Sequence, residues 1–158
     1  MRSLVIYLAG PLFTQAEWQW NAHLAGQLRS IGFNVILPQE RALPMLQGSE
    51  KFSASTLFAA NVRSLDEADV ILANLDGADA DSGTCWECGY AFKAGVPILG
   101  IRTDVRQGGD AGTGVNLMLL ESCRKLITVP PASIEDTTLL IHQIRSVIAE
   151  IMGNAKTV

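Results

Sequence analysis

The stretch Asp69-Val-Ile-Leu-Ala-Asn-Leu75 constrains this chain more than any other. It is almost continuously apolar, partly β-branched, and bounded by Asp76-Gly77. A strand with one wet face alternates polar and apolar residues. An unbroken run reads instead as a strand covered on both faces, the kind found in parallel sheets. The same signal recurs in Leu4-Val-Ile-Tyr-Leu-Ala9, stopped by Gly10-Pro11, and over residues 33–38, 96–101 and 125–129. Between these runs lie helical patterns. Residues 15–31 carry Trp18, Leu24, Leu28 and Ile31 on one stripe, with Gly32 as the stop. Further helices are expected over residues 54–68, from about Thr84 to near Gly95, over 115–120, and from Ser133 to about Ile151. Residues 39–53 and 104–114, rich in turn formers, read as long loops, which in compact domains are often functional. Strands alternating with helices predict an α/β chain: a flavodoxin-like, doubly wound, five-stranded parallel sheet with helices on both faces, one domain spanning residues 1–158.

The chemistry-bearing segment follows the third strand. In Asp81-Ser-Gly-Thr-Cys-Trp-Glu87-Cys-Gly-Tyr90, Thr84 and Glu87 fit the T-x-x-E pattern that opens a helix. Asp81 and Glu87 are therefore expected at the carboxyl end of a parallel strand, where ligand crevices of open α/β sheets lie. A carboxylate in the first turn is expected to stay ionised in the field of the helix dipole, as suits a nucleophile. The competing reading is structural: Glu87 bonds back to the Thr84 amide as a capping box, and Asp81 is a solvated loop residue.

Composition narrows the alternatives. A net charge of −4 and an isoelectric point near 5.1, with scattered Lys and Arg, show no basic footprint for nucleic acid. No apolar run approaches the roughly 20 residues that span a bilayer. The N-terminal residues run directly into a strand without a signal peptide's apolar core, so a cytoplasmic protein is expected. There is no G-x-G-x-x-G after the first strand and no G-x-x-x-x-G-K-[ST], which argues against a dinucleotide or P-loop enzyme. Cys85, Cys88 and Cys123 make neither a disulfide framework nor a zinc site, and the C-x-x-C pair reads as small core residues. His23 and His142 stand alone, so no metal and no cofactor are assigned.

Three pieces occur in order: Tyr7-Leu-Ala-Gly-Pro11, Asp81-Ser-Gly-Thr-x-x-Glu87-x-Gly89, and Asn116-Leu-Met118. Together they resemble the nucleoside 2-deoxyribosyltransferase family, with the matches spanning residues 4 to about 120. The resemblance implies that Glu87 is the nucleophile that attacks the anomeric carbon, that Asp81 orients the sugar hydroxyls, and that Tyr7 hydrogen-bonds the nucleophile near the 2' position. It also implies that Asn116, with Met118 beside it, reaches into a neighbouring subunit's site to hold the 5' end of the sugar. Asn61 falls where many members carry an aspartate near the base; its amide departs from that pattern for the group that protonates the leaving base. Gly10 and Gly83, within the matched motifs, are placed against the substrate.

Phe13, Trp18, Trp20 and Trp86 are candidates to stack on a base, against ordinary core packing, which is favoured for Trp86. Gln39 and Glu40 are expected near the base edge, where an amide both donates and accepts. The implied partners are a 2'-deoxynucleoside and a free nucleobase, in a homo-oligomer that is at least a dimer with shared sites; relatives commonly build hexamers from dimers. Two other readings stand beside this one. A nucleoside 5'-monophosphate N-glycohydrolase on the same scaffold would need a cation for its phosphate, and neither Asn116 nor Leu12-Phe13 supplies one. A non-catalytic ligand-binding module would not need Asp81, Glu87 and Asn116 together.

Overall fold

The computed structural model describes residues 3–48, 51–106, 112, 114–130 and 136–154. The apolar runs form the expected strands, with ends shifted by one or two residues: β1 (Val5–Ala9), β2 (Asn34–Ile36), β3 (Val70–Asn74), β4 (Ile98–Arg102) and β5 (Lys125–Thr128). All are parallel, in the order β2-β1-β3-β4-β5. The central strands β1, β3 and β4 are buried along their whole length, as continuous runs require. Asp69 sits at the entrance to β3, accepting from the Val5 amide at 2.8 Å while its own amide donates to the Val5 carbonyl at 2.9 Å.

The helices are α1 (Gln15–Ser30), α2 (Pro38–Leu46), α3 (Ala54–Glu67), α4 (Ser82–Ala94), α5 (Leu117–Ser122) and α6 (Thr138–Asn154). Thr14 caps α1 in a capping box: its hydroxyl accepts from the Glu17 amide while Glu17 Oε2 accepts from the Thr14 amide at 2.7 Å. Gly95 ends α4 at a φ of 77°, a left-handed turn that glycine adopts without a Cβ clash. The anticipated opening of the last helix at Ser133 lies outside the described residues, and α6 begins at Thr138.

Helix α2 corrects the expectation of a long loop over residues 39–53. Pro38 occupies the first helical turn, where its fixed φ suits the helix and its missing N–H costs nothing. Glu40 then forms a two-pronged ion pair with Arg29 at 2.7 and 2.9 Å, and Arg29 Nη2 also donates to the Val35 carbonyl at 2.7 Å. The start of α2 is thus fastened to the last turn of α1 and to β2. No turn-former count reveals that tertiary tie.

Period-two alternation divides the sheet's side chains between two cores. Ile6, Leu8, Leu72 and Leu99 pack against Leu24 and Leu28 of α1 and Leu140 and Ile144 of α6. On the other face Tyr7, Ile71, Ala73 and Ile98 pack against Leu65 of α3, Cys88 and Ala91 of α4, and Leu119 of α5. The chain leaves β1 for β2 on one side and later returns to pair β3 on the other. The β1–β3 boundary is therefore the switch point at which a crevice opens beyond the carboxyl ends.

Leu72 is fully buried in the middle of the first core. Leu72→Ala should destabilise the protein by roughly 2–5 kcal/mol, read as a lower urea midpoint at unchanged m-value. A loss below about 1 kcal/mol would show that the surrounding helices collapse into the space.

Candidate active site

Tyr7 points from β1 toward α4, and its phenol donates to Glu87 Oε1 at 2.5 Å. The alternation of β1 explains the direction: Ile6 and Leu8 face α1 and α6, so Tyr7 must face α4. Thr84, Cys88 and Ala91 form the buried stripe of α4, and Glu87 lies beside it, half-buried over the phenol. Its other oxygen, Oε2, accepts no hydrogen bond among the described residues.

The helix begins differently from the sequence expectation. Asp81 is the N-cap, its Oδ2 accepting from the Thr84 amide at 2.9 Å and from the Thr84 hydroxyl at 3.2 Å. Glu87 makes no capping box; it stands in the second turn, beyond the reach of the first-turn dipole. A Cβ on Gly83 would sit 3.1 Å from Asp81 Oδ2, so the small residue leaves room for the cap. Asp81 Oδ1 accepts no hydrogen bond among the described residues. It is the part of the carboxylate left over for a ligand.

The charge state also departs from expectation. Burial pushes the Glu87 carboxyl up to about 7; the Tyr7 hydrogen bond opposes this and the nearby Asp81 charge adds to it. Desolvation therefore outweighs any help from the helix terminus. Tyr7 is raised well above its ordinary value by burial first and then by Glu87, with the charge of Arg41 acting the other way. It remains the donor of the pair.

The other candidates divide into groups. Gly10 packs its backbone against the end of β3, where an added Cβ would meet Asn74 Cβ at 3.2 Å. Phe13 is 75% exposed at the start of α1, free of any stack. Trp18 is anchored through its indole N–H to the Leu12 carbonyl at 2.6 Å, and Trp20 packs against the first core. Gln39 is buried, with Oε1 accepting from Asn21 Nδ2 at 3.1 Å and Nε2 donating to the Trp18 carbonyl at 2.9 Å. Asn21 also donates to the Pro11 carbonyl at 2.9 Å. Gln39 thus braces the turn after β1 through both ends of its amide, and Glu40 is held by Arg29. Asn61 is half-buried on α3, its Oδ1 enclosed and, among the described residues, without a hydrogen-bond partner.

Asn116 and Met118 lie apart from Tyr7 and Glu87. Asn116 caps α5, accepting from the Met118 amide at 2.9 Å. Both residues line a cavity of about 470 Å³ between α4 and α5, bordered by Cys85, Gly89 and Phe92. Neither Tyr7 nor Glu87 lines it. Met118 is 78% exposed.

Trp86 is not in the core: it is 48% exposed on the outer face of α4, stacked on Tyr90 at 5.5 Å with Phe58 edge-on at 5.4 Å. Burial raises all three thiols, Cys88 to about 12 and Cys123 to about 11, and all are unpaired. Cys85 and Cys88 are thus free thiols whose burial disfavours the thiolate. Among the described residues, no three or more His, Cys, Asp or Glu side chains cluster as a metal site, and no helix is long and apolar enough to cross a membrane.

Sequence reasoning passed over two polar groups here. Asn21 interrupts the α1 stripe between Trp18 and Leu24, and a polar residue at that spacing was the available signal. Arg41 was hidden in the supposed loop; on α2 its Nη1 donates to the Ala60 carbonyl at 3.3 Å, next to Asn61.

The family model described as nucleoside 2-deoxyribosyltransferase matches residues 6–118. Among solved structures, a conserved protein from Enterococcus faecalis V583 is similar at a TM-score of 0.71 and 27% identity, over 90% of this chain and 99% of that one. A 2-deoxyribosyltransferase from Bacillus psychrosaccharolyticus is similar at a TM-score of 0.65 and 22% identity, over 87% and 95% of the two chains. The enzyme of the same description from Leishmania mexicana reaches 0.58 at 23%, over 73% and 85%. At those identities the two transferases share the fold with this chain. No curated protein matches it significantly.

The electrostatics make a direct prediction. Carbon-detected NMR titration of the Glu87 carboxyl should show a midpoint near 7. Tyr7→Phe should raise it by removing the stabilising donor, and Asp81→Asn, which can still cap the helix, should lower it by removing a like charge. The folded protein holds this proton more tightly than the unfolded chain. The group's contribution to stability therefore falls as pH rises from about 4.5 to about 7, then stays constant. A midpoint near 4.5 would refute the desolvated site.

Proposed function

The chain belongs to the nucleoside 2-deoxyribosyltransferase family, and from that premise we propose that it exchanges the base of 2'-deoxynucleosides through a covalent deoxyribosyl–Glu87 ester. The observation that carries this reading is the Tyr7–Glu87 pair at the sheet's switch point. The phenol occupies one carboxylate oxygen and leaves Oε2 for carbon. In the first step Oε2 bonds to C1' as the C1'–N bond breaks, and the base departs with the electron pair. In the second, an incoming base attacks C1' and the carboxylate leaves. Two inversions give net retention.

Positive charge develops on the sugar ring between these states, and an ionised Glu87 beneath it is the matching counter-charge. Burial serves this chemistry, because a desolvated carboxylate interacts more strongly with that charge than a hydrated one. Limiting water also lets a base compete as acceptor. Asp81 presents Oδ1 to the sugar hydroxyls. Asn61 is an amide, so it has no proton to give to the leaving base. A 2'-hydroxyl would withdraw electrons and crowd Tyr7, so deoxynucleosides are the substrates.

Asn116 and Met118 open onto a cavity that Glu87 does not line, which supports a role in the site of a second subunit within a homodimer. There the Asn116 Nδ2 would hold the sugar's 5' hydroxyl while Oδ1 continues to cap α5.

One observation favours a second reading. Arg41 lies within electrostatic reach of Tyr7, and a cation is what a nucleoside 5'-monophosphate N-glycohydrolase would need.

Incubating the protein with deoxyinosine, thymidine or deoxyadenosine monophosphate, each with and without free adenine, separates the two by chromatography. Exchange of the free nucleosides supports the transferase; release of sugar phosphate from the monophosphate as the fastest reaction supports the hydrolase. Glu87→Gln keeps an acceptor for Tyr7, so it should stay folded while losing on the order of a thousandfold or more in rate. Rates close to those of the unsubstituted protein would exclude Glu87 as nucleophile. Mixing inactive Glu87→Gln protein with inactive Asn116→Ala protein should restore activity, since hybrid dimers regain one intact site. No recovery while subunits demonstrably exchange would mean that each chain carries a self-contained site.

A further inference from the structure

Arg102 ends β4 with its side chain only 3% exposed. A guanidinium removed from water costs several kcal/mol unless its donors find good acceptors. Here they find main-chain carbonyls at the carboxyl edge of the sheet. Nη1 donates to the Leu75 carbonyl at 2.7 Å and to the Gly77 carbonyl at 3.1 Å. Nη2 donates to the Arg106 carbonyl at 3.2 Å, and Asp104 lies 3.8 Å away as counter-charge. One planar group thus binds the segment leaving β3 and the segment leaving β4. The first of these runs to Asp81, the cap of α4; the second runs toward Asn116, the cap of α5.

Two further contacts show that the tie is geometrically tight. Asp76, between Leu75 and Gly77, accepts from the Thr103 amide and hydroxyl at 2.6 Å each and from the Asp104 amide at 2.8 Å. The two segments are therefore crosslinked in both directions. At Gly114, two residues before Asn116, an added Cβ would lie 2.6 Å from Arg102 Nε and Nη2. The backbone there has a φ of 75° and rests directly on the guanidinium, so glycine alone fits. Among the described residues, Arg102 Nε, facing this backbone, has no hydrogen-bond partner.

We propose that Arg102 is a positioning residue for base exchange: it sets the segments 75–81 and 114–116 against one another, and so fixes where Asp81 meets the sugar of its own site and where the Asn116 amide meets the sugar of the partner subunit's site. The proposal rests on the transferase reading given above. Arg102 touches no substrate and acts through the two caps.

The test compares deoxyadenosine with 2',5'-dideoxyadenosine, which lacks the hydroxyl assigned to Asn116. Both are assayed with a free acceptor base in the unsubstituted protein, in Arg102→Lys, and in Gly114→Ala. Lysine keeps the charge but loses the planar fork; the added methyl displaces the guanidinium without removing it. Thermal melting of each variant establishes that it is folded, and Gly114→Ala carries the test should Arg102→Lys fail to fold.

We expect kcat/KM for deoxyadenosine to fall about tenfold or more in the folded variants, chiefly through KM. The penalty for losing the 5' hydroxyl should shrink severalfold from its value in the unsubstituted protein. A purely structural role would lower both substrates by the same factor and leave that penalty unchanged, and this outcome overturns the proposal. So does an unsubstituted protein that exchanges bases but is indifferent to the 5' hydroxyl. An unsubstituted protein that exchanges no bases at all overturns the transferase reading itself, and this assignment with it.

Discussion

Placing a tyrosine in a fully covered strand obliges the chain to supply an acceptor for its hydroxyl, and much of the site's geometry follows from that obligation. Tyr7 is completely buried in β1, and Glu87 is its partner. An unpaired phenol there would forfeit about 1–3 kcal/mol. To bring Glu87 over β1, α4 must cross the sheet face with Thr84, Cys88 and Ala91 inward. To start α4 in that register, Asp81 must cap it, and Gly83 must leave space for the cap. A hydrogen bond within the core thus dictates the placement of the second carboxylate beside the first.

The pair also explains how a carboxyl is accommodated over the sheet. Ionising Glu87 works against desolvation, which pushes its carboxyl up to about 7. A sugar carrying developing positive charge supplies what the protein withholds. The scaffold and the proposed reaction therefore pull on the same proton equilibrium in opposite directions, which is a common arrangement at functional sites.

The architecture was legible because its signal is local and redundant. Unbroken apolar runs forced buried strands, and their alternation with helical stripes forced a parallel sheet. Boundaries shifted by a residue or two, as strand ends do when pairing decides them. The failures share one cause: the outcome depended on a residue distant in sequence. The chain contains T-x-x-E twice. Thr14–Glu17 is a capping box, whereas Thr84–Glu87 is not, because Tyr7 claims the second glutamate and Asp81 provides the cap. Helix α2 was missed because Arg29, in α1, stabilises its first turn. Burial, which raises the Glu87 carboxyl to about 7, is invisible in a motif.

The strand order has a bearing on how the molecule comes together. β1, first in the chain, lies inside the sheet, flanked by β2 and β3. Strands β3, β4 and β5 are then added outward in chain order, each docking onto an edge that already exists. A nascent polypeptide can therefore assemble vectorially, with no later strand forced between two earlier ones after β3 has paired. The Tyr7–Glu87 contact, 80 residues apart in sequence, closes a large loop and its entropy cost is met only once β3 has shortened the path between them. The Tyr7–Glu87 pair thus depends on the sheet that sets β1 beside β3, with α4 packed back over β1.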